Sequence, residues 1–491
     1  MLKVLSVASS LKNEAYTIEK GCDVQELMAK AANVLFKSHN YQGPVAIIAG
    51  YGNNAGDGFA LALLLKEHNI EVEIFLLAEK FSPAGFFYYQ KCQESRIKTH
   101  LLSPATNFEG YKTLVDCLFG TGFKGEVKGL AREVIEKINL SSAYVISADI
   151  NSGLNSDNGL TKLAVKSDLT IAIGTFKPGH FLAMAKDYIK EKVYGDIGLE
   201  SLAESYYLIE KADVKEVLKT RKQYSHKGDY GYIALIGGSI RYSGAIKLAN
   251  LAASAMYSGA GVVKLAIPER LVNAVLPYIL ESTVFPLSSR FQEKEVEELI
   301  FNTKAVAVGM GYGQNEHLKK LITYLLKNYQ ETLIFDADAL NILAEMDKKL
   351  LKESKAQIIL TPHLKEFSRI CEKSIEEINT NPIKEVQSFA KNYNLTLLLK
   401  GPTNIVSNGQ LVYLVDRGTA GMASAGSGDV FAGVLCALCG QSKEERALVS
   451  ACAAYINGLA GEEAESEACA ITMLASDSAH KIKRAIELIV K

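Results

Sequence analysis

The chain has 491 residues, 22% of them charged, and a formal net charge of −1. This balance provides no electrostatic field that would attract nucleic acid or an anionic membrane. No apolar run reaches the roughly 18 residues that a membrane-spanning helix needs, and the apolar stretch before Lys12 is too short for a signal peptide. We therefore expect a cytoplasmic protein with neither nucleic-acid nor membrane partners.

Short β-branched runs alternate with longer helical patterns along the whole chain, which is typical of parallel α/β units. In the first half the predicted strands are 45–49, 72–77, 113–118, 144–148 and 169–173, each followed by glycine or polar turn residues. Ligands of such doubly wound sheets bind beyond the carboxyl ends of the strands. We therefore expect the functional residues of this half to follow the strands.

The segment 49–58, which reads AGYGNNAGDG, follows the first strong strand and opens a helical pattern. Its position is that of a phosphate-binding loop at a helix N-terminus, although it is not a G-x-G-x-x-G sequence. Oxygen-bearing side chains follow three strands, at Asn54, Asp116 and Ser152. With only one carboxylate among them, this set indicates a hard monovalent cation rather than zinc. We call these three residues the cage. Asp149 is expected to lie between the cage and the loop 49–58, and we predict that it transfers protons.

This half resembles the NAD(P)H-hydrate epimerases, through NNAGDG, VDCLFGTG and DINSG, which approximate the motifs of that family. The resemblance implies a Rossmann-like doubly wound domain over residues 1–210 that interconverts the R and S hydrates. It also implies that Asn54, Asp116 and Ser152 hold K⁺ and that Asp149 is catalytic. The residues implied to bind the hydrate are Asn53, Asn54, Ala55, Gly56, Asp57, Gly120, Thr121, Gly122, Phe123, Lys124, Gly125, Glu126 and Asp149.

Three positions depart from the epimerase pattern. Ala55 stands where the family has glycine, Asn151 replaces a proline, and Ala29 replaces the acidic residue of an LMExAG-type helix. We expect the Ala55 methyl group to crowd the loop, Asn151 to loosen the loop that presents Ser152, and epimerisation to be slower than in relatives.

The α/β pattern breaks between residues 200 and 224, before a glycine-rich restart. This break indicates a domain boundary near residue 210, and we expect residues 211–491 to form a second α/β domain. The predicted strands are 232–236, 262–267, 305–308, 332–335, 358–360 and 395–399. Two later β runs flank Asn408-Gly409, the strongest short-range signal of a hairpin.

The run 418–433, which reads GTAGMASAGSGDVFAG, carries the clearest functional signal. Its glycines and the following helix N-terminus predict a cradle for phosphate, with Asp429 placed to accept a proton from a substrate hydroxyl. Asp336 and Asp338 follow a strand and are expected to organise Mg²⁺ through water. The chain contains no G-x-x-x-x-G-K-[ST] sequence, so it has no ordinary P-loop.

The ordered motifs SHKGxxG, GGS, GAG, DADALN, TPHxxEF, KG and GSGD resemble the ribokinase-like NAD(P)H-hydrate dehydratases. The resemblance implies a ribokinase-like α/β domain over residues 211–491 that uses ADP to dehydrate the S hydrate, giving NAD(P)H, AMP and phosphate. It implies a hydrate site of Gly261, Gly313, His363 and Asp429, with Asp429 catalytic. The residues implied to bind the adenine nucleotide are Lys400, Gly401, Pro402, Thr403, Asn404, Thr419, Ala420, Gly421, Met422, Ala423, Ser424, Ala425, Gly426, Ser427 and Gly428.

The combined prediction is a two-domain repair enzyme for hydrated nicotinamide dinucleotides, assembled as a homo-oligomer. Two alternatives remain open from the residues alone. One is an ATP-dependent kinase of the hydroxymethylpyrimidine or pyridoxal type, and the other makes the first half a binding module.

Overall fold

The computed structural model describes residues 1–200, 202, 205–218, 220–253 and 258–491. The strands are β1 (Leu2–Val4), β2 (Val45–Ala49), β3 (Val72–Leu76), β4 (Lys98–Leu101), β5 (Thr113–Cys117), β6 (Tyr144–Ala148), β7 (Ser167–Ile173), β8 (Ile189–Gly195), β9 (Tyr206–Leu208), β10 (Tyr232–Ile236), β11 (Val262–Pro268), β12 (Thr283–Leu287), β13 (Thr303–Val308), β14 (Thr332–Phe335), β15 (Gln357–Leu360), β16 (Thr396–Leu399), β17 (Asn404–Ser407) and β18 (Val412–Val415).

The helices are α1 (Val7–Glu19), α2 (Val24–Lys37), α3 (Asn53–Glu67), α4 (Pro83–Glu94), α5 (Gly129–Leu140), α6 (Ala185–Tyr188), α7 (Lys211–Val217), α8 (Ser243–Ala253), α9 (Val272–Val275), α10 (Glu293–Ile300), α11 (Glu316–Asn328), α12 (Asp338–Glu345), α13 (Lys349–Glu353), α14 (Leu364–Cys371), α15 (Ile375–Thr380), α16 (Pro382–Tyr393), α17 (Ser427–Gln441), α18 (Arg446–Glu467) and α19 (Ala475–Val490). No helix in these described ranges is both long and apolar enough to cross a membrane.

The chain divides into two compact units, one of residues 3–206 and one of residues 1–2 with 207–491. The first unit contains a seven-stranded sheet of order β4-β3-β2-β5-β6-β7-β8, parallel throughout. All five strands predicted from the sequence are present in it. The order reverses at β2, which pairs with both β3 and β5, so a crevice opens beyond the carboxyl ends of these strands.

The second unit contains an eleven-stranded sheet of order β1-β9-β18-β17-β16-β15-β14-β13-β10-β11-β12. The strands from β10 to β16 are parallel, and the predicted hairpin is confirmed because β17 pairs antiparallel with both β16 and β18. Strand β9 precedes residue 210 but pairs with β18 in this sheet. The order reverses at β10, which pairs with β11 on one side and β13 on the other.

Helix α17 forms the centre of the second unit's core. It is buried over nearly its whole length and packs against α8, α18 and strand β13. A helix that is apolar on all sides requires such complete burial. Cys436 and Cys439 lie in its buried stretch as free thiols, where they pack as small apolar side chains. This packing fixes the start of α17 at the carboxyl edge of the sheet.

Candidate functional site

The first unit has a cavity of about 480 Å³ at the carboxyl ends of its central strands. It lies at the start of α3 and beside the loops that follow β5 and β6. The sequence-predicted residues that line it are Asn53, Asn54, Asp57, Gly120, Thr121, Gly122, Phe123 and Asp149.

The remaining residues predicted for the hydrate lie outside this lining. Ala55 and Gly56 are buried in the first turn of α3, where a Cβ on Gly56 would stand 2.5 Å from the Met28 side chain. Ala55 belongs to the apolar core of this unit and does not line the cavity, and the crowding of the loop by its methyl group stays a prediction. Lys124, Gly125 and Glu126 are exposed, and Glu126 pairs with Lys162 at 2.5 Å.

The three oxygen-bearing residues predicted to form a cage do converge. The Oδ1 atom of the fully buried Asp116 accepts a hydrogen bond from Ser152 Oγ at 2.5 Å, and its Oδ2 accepts from the Ser152 amide at 2.8 Å. Asn54 Nδ2 donates to the Phe119 carbonyl at 3.1 Å. The Oδ1 atom of Asn54 is buried and finds no hydrogen-bond partner among the residues that the structure describes. A buried acceptor without a donor is costly and fits a bound cation.

Burial raises the pKa of Asp116, while the hydrogen bonds from Ser152, Leu118 and Ser147 counteract that rise. Four donors on one carboxyl group favour its charged form. A single carboxylate beside neutral oxygens matches a hard cation of low charge.

Asp149 follows β6 in a left-handed backbone conformation with φ of 60°, which is uncommon for a residue with a side chain. Its Oδ1 atom lies 2.6 Å from the Nζ atom of Lys177, whose side chain is only 3% exposed. His180 Nδ1 accepts a hydrogen bond from the Lys177 amide at 3.0 Å, so its Nε2–H faces the Asp149 carbonyl at 2.6 Å. Burial lowers the pKa of His180 to about 4, which keeps the ring neutral. Lys177 and His180 thus fix the Asp149 backbone and side chain.

The cavity holds two further carboxyl groups besides Asp149. Glu14 comes from α1 and Asp57 is the fifth residue of α3, and both are partly buried. Burial raises the pKa of Glu14, and the negative charge of Asp149 raises it further. The pKa of Asp57 lies well above its usual range for the same two reasons, with a further contribution from Glu14. Such pKa shifts in a cavity are typical of functional groups.

Sequence reasoning missed Glu14, Lys177 and His180. A signal existed for Lys177, because it follows β7 in a Pro-Gly turn, as Asp149 follows β6. No local pattern marks Glu14, which lies far from any strand end in sequence. The Glu14 carboxyl group lines the cavity. At position 29 this chain has alanine, whereas the epimerase pattern has an acidic residue.

The structure also corrects the expectation that Asn151 loosens its loop. Its side chain is fully buried and donates to the Val165 carbonyl at 2.8 Å and to Ser167 Oγ at 2.9 Å. It accepts from Thr170 Oγ1 at 2.5 Å. These bonds tie the loop that presents Ser152 to β7.

In the second unit, charged residues from three elements meet at the carboxyl edge of the sheet. The Lys400 Nζ atom lies 2.7 Å from the Oδ1 atom of Asp336, and a Cβ on Gly428 would be 3.3 Å from that Nζ atom. Burial alone would lower the pKa of Lys400, but Asp336 and Glu366 outweigh it and raise the pKa. Burial, followed by repulsion from Asp336, raises the pKa of Asp429 to about 7. A carboxylate with a pKa near neutrality is suited to proton transfer.

The neighbouring loops complete this edge. Gly313 donates its amide to Asp338 Oδ2 at 2.8 Å. A Cβ on Gly311 would stand 2.8 Å from the Ala245 side chain. The first turn of α8, which contains Ala245, therefore lies beside the loop that follows β13. Sequence reasoning missed this segment, although it follows the glycines at the end of β10. No three His, Cys, Asp or Glu side chains gather as a metal site within the described ranges.

His363 caps helix α14 at this edge. Its Nδ1 atom accepts from the amides of Lys365 at 3.1 Å and Glu366 at 3.2 Å, so Nε2 carries the proton. The side chain is 52% exposed, and the Nε2 atom lies 3.4 Å from Glu366 Oε1. Burial of part of the ring and the charge of Lys400 lower the pKa of His363. A neutral donor is therefore presented beside Lys400.

The predicted nucleotide loop follows β18 and leads into α17. Its early amides are occupied, because Gly418 donates to Glu462 Oε1 at 2.8 Å and Gly421 donates to Glu465 Oε2 at 3.0 Å. Thr419 Oγ1 also bonds to Glu465. The later part of the run enters α17, whose first-turn amides lack intrahelical acceptors. This helix N-terminus, beside Lys400, is where the loop presents an anion site. The other predicted residues in these two segments are Gly401, Pro402, Thr403, Asn404, Ala420, Met422, Ala423, Ser424, Ala425, Gly426 and Ser427.

Gly261 does not join this group. It precedes β11, and a Cβ there would stand 1.8 Å from the carbonyl oxygen of Lys227, which precedes β10. Because β10 and β11 are parallel, both residues lie at the amino edge of the sheet, opposite Asp429. The glycine is required for close packing, which corrects its predicted role in the hydrate site.

Two protein families match the chain in tandem. One described as YjeF-related protein N-terminus matches residues 23–179, and one described as NAD(P)H-hydrate dehydratase matches residues 233–484. The bifunctional NAD(P)H-hydrate repair enzyme Nnr of Dictyoglomus turgidum is 31% identical over 456 residues, covering 87% of this chain and 86% of the relative. The protein of the same name from Archaeoglobus fulgidus is 33% identical over 428 residues, covering 86% and 85%.

Solved structures match the second half. The ADP/ATP-dependent NAD(P)H-hydrate dehydratase from Bacillus subtilis, co-crystallised with ATP and Mg²⁺, superposes with a TM-score of 0.52 at 26% identity, covering 58% of this chain and 100% of its own. A ribokinase-like superfamily protein from Enterococcus faecalis superposes with a TM-score of 0.51 at 21% identity, covering 59% and 99%. The predicted ribokinase-like fold is therefore confirmed.

Proposed function

Because the chain belongs to the family of bifunctional NAD(P)H-hydrate repair enzymes, we propose a specific role for each half in the repair of hydrated nicotinamide dinucleotides. The protein is an enzyme with epimerase and dehydratase activities. The observation that supports the division of labour is that each unit presents its own carboxylate at a sheet edge, Asp149 in the first and Asp429 in the second.

We assign epimerisation of the R and S hydrates to residues 1–210. The hydrate occupies the cavity beside Asn53, Asp57 and residues 120–123, and Asp149 exchanges a proton with the substrate. Lys177 and His180 hold Asp149 in its unusual backbone conformation. This arrangement fixes the carboxylate before substrate arrives.

K⁺ fits the cage of Asn54, Asp116 and Ser152, since the Asn54 Oδ1 atom is buried without a donor and Asp116 provides the only carboxylate. When bound, the ion supplies a fixed positive charge beside the cavity. Asn54 belongs to both the cage and the cavity lining. The cage therefore orders the start of α3 where the substrate binds.

We assign dehydration of the S hydrate to residues 211–491. Hydration of the nicotinamide ring leaves a hydroxyl that is a poor leaving group, and phosphorylation makes it a good one. Asp429 takes the hydroxyl proton as the oxygen attacks the β-phosphorus of ADP and AMP departs. The ring-nitrogen lone pair then expels phosphate and forms an N=C bond. Loss of a proton from the neighbouring ring carbon to solvent forms the C=C bond, returns the electrons to nitrogen and restores NAD(P)H. Gly313 and His363 lie close enough to Asp338 and Lys400 to line the hydrate site.

The nucleotide site is proposed to consist of residues 400–404 and 419–428, with Lys400 and the first turn of α17 facing phosphate. Mg²⁺ fits this edge, because the short bonds to Lys400 and Gly313 use one carboxylate oxygen each of Asp336 and Asp338. The other oxygen of Asp338 has only a long contact, at 3.5 Å, with Gln314 Nε2 among the described residues. When bound with phosphates and water, the ion supplies charge neutralisation of the transferred group. Because phosphate and water oxygens fill most of its coordination positions, such an Mg²⁺ ion needs few protein ligands.

Hydrated NADH containing both epimers tests the proposal. With ADP, we expect the unmodified enzyme to restore the near-ultraviolet absorbance of NADH fully. The Asp149→Ala variant should restore only the part of the absorbance that corresponds to the S epimer in the mixture. An Asp429→Ala variant should give no recovery while still equilibrating the epimers. Failure of the unmodified enzyme to recover absorbance with ADP or ATP would contradict the dehydratase assignment.

Two further features remain predictions: location in the cytoplasm and assembly as a homo-oligomer. Symmetric oligomers are common among such α/β enzymes. Light scattering of the purified protein measures the mass of the assembly, for which a single chain contributes 53.4 kDa.

A further inference from the structure

Epimerisation of the hydrate requires two proton transfers on opposite faces of one carbon. The hydroxyl leaves the carbon next to the ring nitrogen from one face, and water returns to the other. Departing oxygen needs a proton, and attacking water must lose one. A pair of carboxyl groups flanking the reacting carbon performs this task in inverting glycosidases. Asp149 supplies only one of the two groups.

The cavity contains a second carboxyl group carried by a different element. Glu14 lies in the middle of α1, whereas Asp149 follows β6, and both line the cavity. The charged groups that face Glu14 are Asp149, Lys177 and, from α3, Asp57. The Lys177 ammonium is already paired with Asp149 at 2.6 Å. Among the described residues, no ion pair and no hydrogen bond engages the Glu14 carboxyl group.

The two acids therefore occupy different electrostatic situations. Asp149 has the Lys177 ammonium group in contact, whereas Glu14 is partly buried in the same cavity and has no ion-pair partner among the described residues. Burial and Asp149 raise the pKa of Glu14, so Glu14 retains a proton to a higher pH. Adjacent carboxyl groups whose environments differ in this way divide into an acid and a base.

We propose that Glu14 is the second proton-transfer residue of the epimerase, acting as the acid opposite Asp149. This inference rests on the proposed epimerase function. The Glu14 carboxyl donates its proton to the leaving hydroxyl while the ring-nitrogen lone pair forms the N=C bond and the C–O bond breaks. Water then adds to the other face, its proton passes to Asp149, and the N=C electrons return to nitrogen. Exchange with solvent restores both carboxyl groups.

Asp57 is the competing candidate, because it lines the same cavity. It lies near the start of α3, within the segment 49–58 that the sequence predicts to hold phosphate, rather than on a separate element. Asp57 therefore belongs to the loop expected to bind the hydrate, and the Asp57→Asn variant tests it as the alternative acid.

The experiment measures R-to-S conversion in the full-length Glu14→Gln, Asp57→Asn and Glu19→Gln variants, using their own dehydratase half to consume the S form. Glu19 is exposed at the end of α1 and is the matched control. We expect Glu14→Gln to slow conversion about 100-fold or more, the lower limit for lost general acid catalysis. Its rate should also lose the decline at high pH that titration of the acid produces in the unmodified enzyme.

Two readouts separate this role from a structural one. The Glu14→Gln variant should recover NADH absorbance from pure S hydrate at the normal rate, because this reaction does not use the epimerase half. Its thermal midpoint should not fall, because the substituted carboxyl group lacks an ion-pair partner in the described part of the chain. A Glu14→Gln enzyme with the normal rate and pH profile would overturn the proposal, as would loss of the high-pH decline only in Asp57→Asn. If the unmodified enzyme does not accelerate epimerisation, the proposed function itself fails.

Discussion

The Nζ atom of Lys400 lies 2.7 Å from the Oδ1 atom of Asp336, and Asp336 is buried. Thr361 Oγ1 donates to the same oxygen at 2.9 Å. The pair joins the end of β16 to the end of β14 beside Gly428, so the lysine that we propose to face phosphate also stabilises this edge of the sheet.

Removing Lys400 should therefore destabilise the second unit as well as weaken nucleotide binding. Loss of one partner leaves Asp336 buried without its counter-ion, which costs about 3 kcal/mol. We expect a lower thermal midpoint for Lys400→Met and partial recovery in the double variant with Asp336→Asn. The control is Lys304→Met, whose pair with Glu331 is exposed and stabilises little. Equal midpoints for both single variants would contradict the prediction.

Asp429 should give the dehydratase a pH dependence near neutrality. Its pKa is raised to about 7 from the ordinary 3.8, chiefly by burial, and only the ionised form accepts a proton. We expect kcat/KM with ADP to rise with pH and level off above about 7. The folded state binds the Asp429 proton more tightly than the unfolded state, so this group lowers stability as pH rises from about 4 to about 7.

The Asp429→Asn variant checks both parts of this prediction. Dehydration should fall about 100-fold or more, whereas epimerisation should be unchanged. Relative to the unmodified enzyme, the variant should gain thermal stability between pH 4 and pH 8. No such gain would show that the carboxyl group is not destabilised by its surroundings.

Potassium should stabilise the first unit through Asn54. The buried Oδ1 atom lacks a donor among the described residues, and a ligand that binds only the folded state raises stability by about 2.7 kcal/mol at 100 times its Kd. We expect a higher thermal midpoint in KCl than in choline chloride of equal ionic strength. Asn54→Ala should abolish this difference. Equal midpoints for the unmodified protein would argue against a cation cage.

Gly261→Ala should affect folding rather than substrate recognition. The new methyl group would lie 1.8 Å from the Lys227 carbonyl oxygen, and backbone must move to admit it. Such overpacking costs about 1–3 kcal/mol. We expect a lower thermal midpoint with an unchanged KM for the hydrate. A raised KM at an unchanged midpoint would restore Gly261 to the substrate site.

The sequence by itself determined the fold class and the central strands, because a strand buried on both faces is a continuous apolar run. It also located Asp116, Asp149, Asp336 and Lys400, since residues at the carboxyl ends of parallel strands meet at one edge. The strands that it missed, including β4 and β8, are largely exposed and carry charged residues, so they lack that apolar run.

Only the tertiary structure decided which side chains meet. Gly261 was misplaced because the family resemblance assigned it to the hydrate site, although it precedes its strand and so lies at the opposite edge of the sheet. Asn151 differs from the family residue yet holds its loop, since its four-point hydrogen bonding depends on residues distant in sequence. Glu14 reaches the cavity from α1, and Lys177 reaches Asp149 across 28 positions. Ion pairing and desolvation depend on distances in space, and these arise only when the chain is folded.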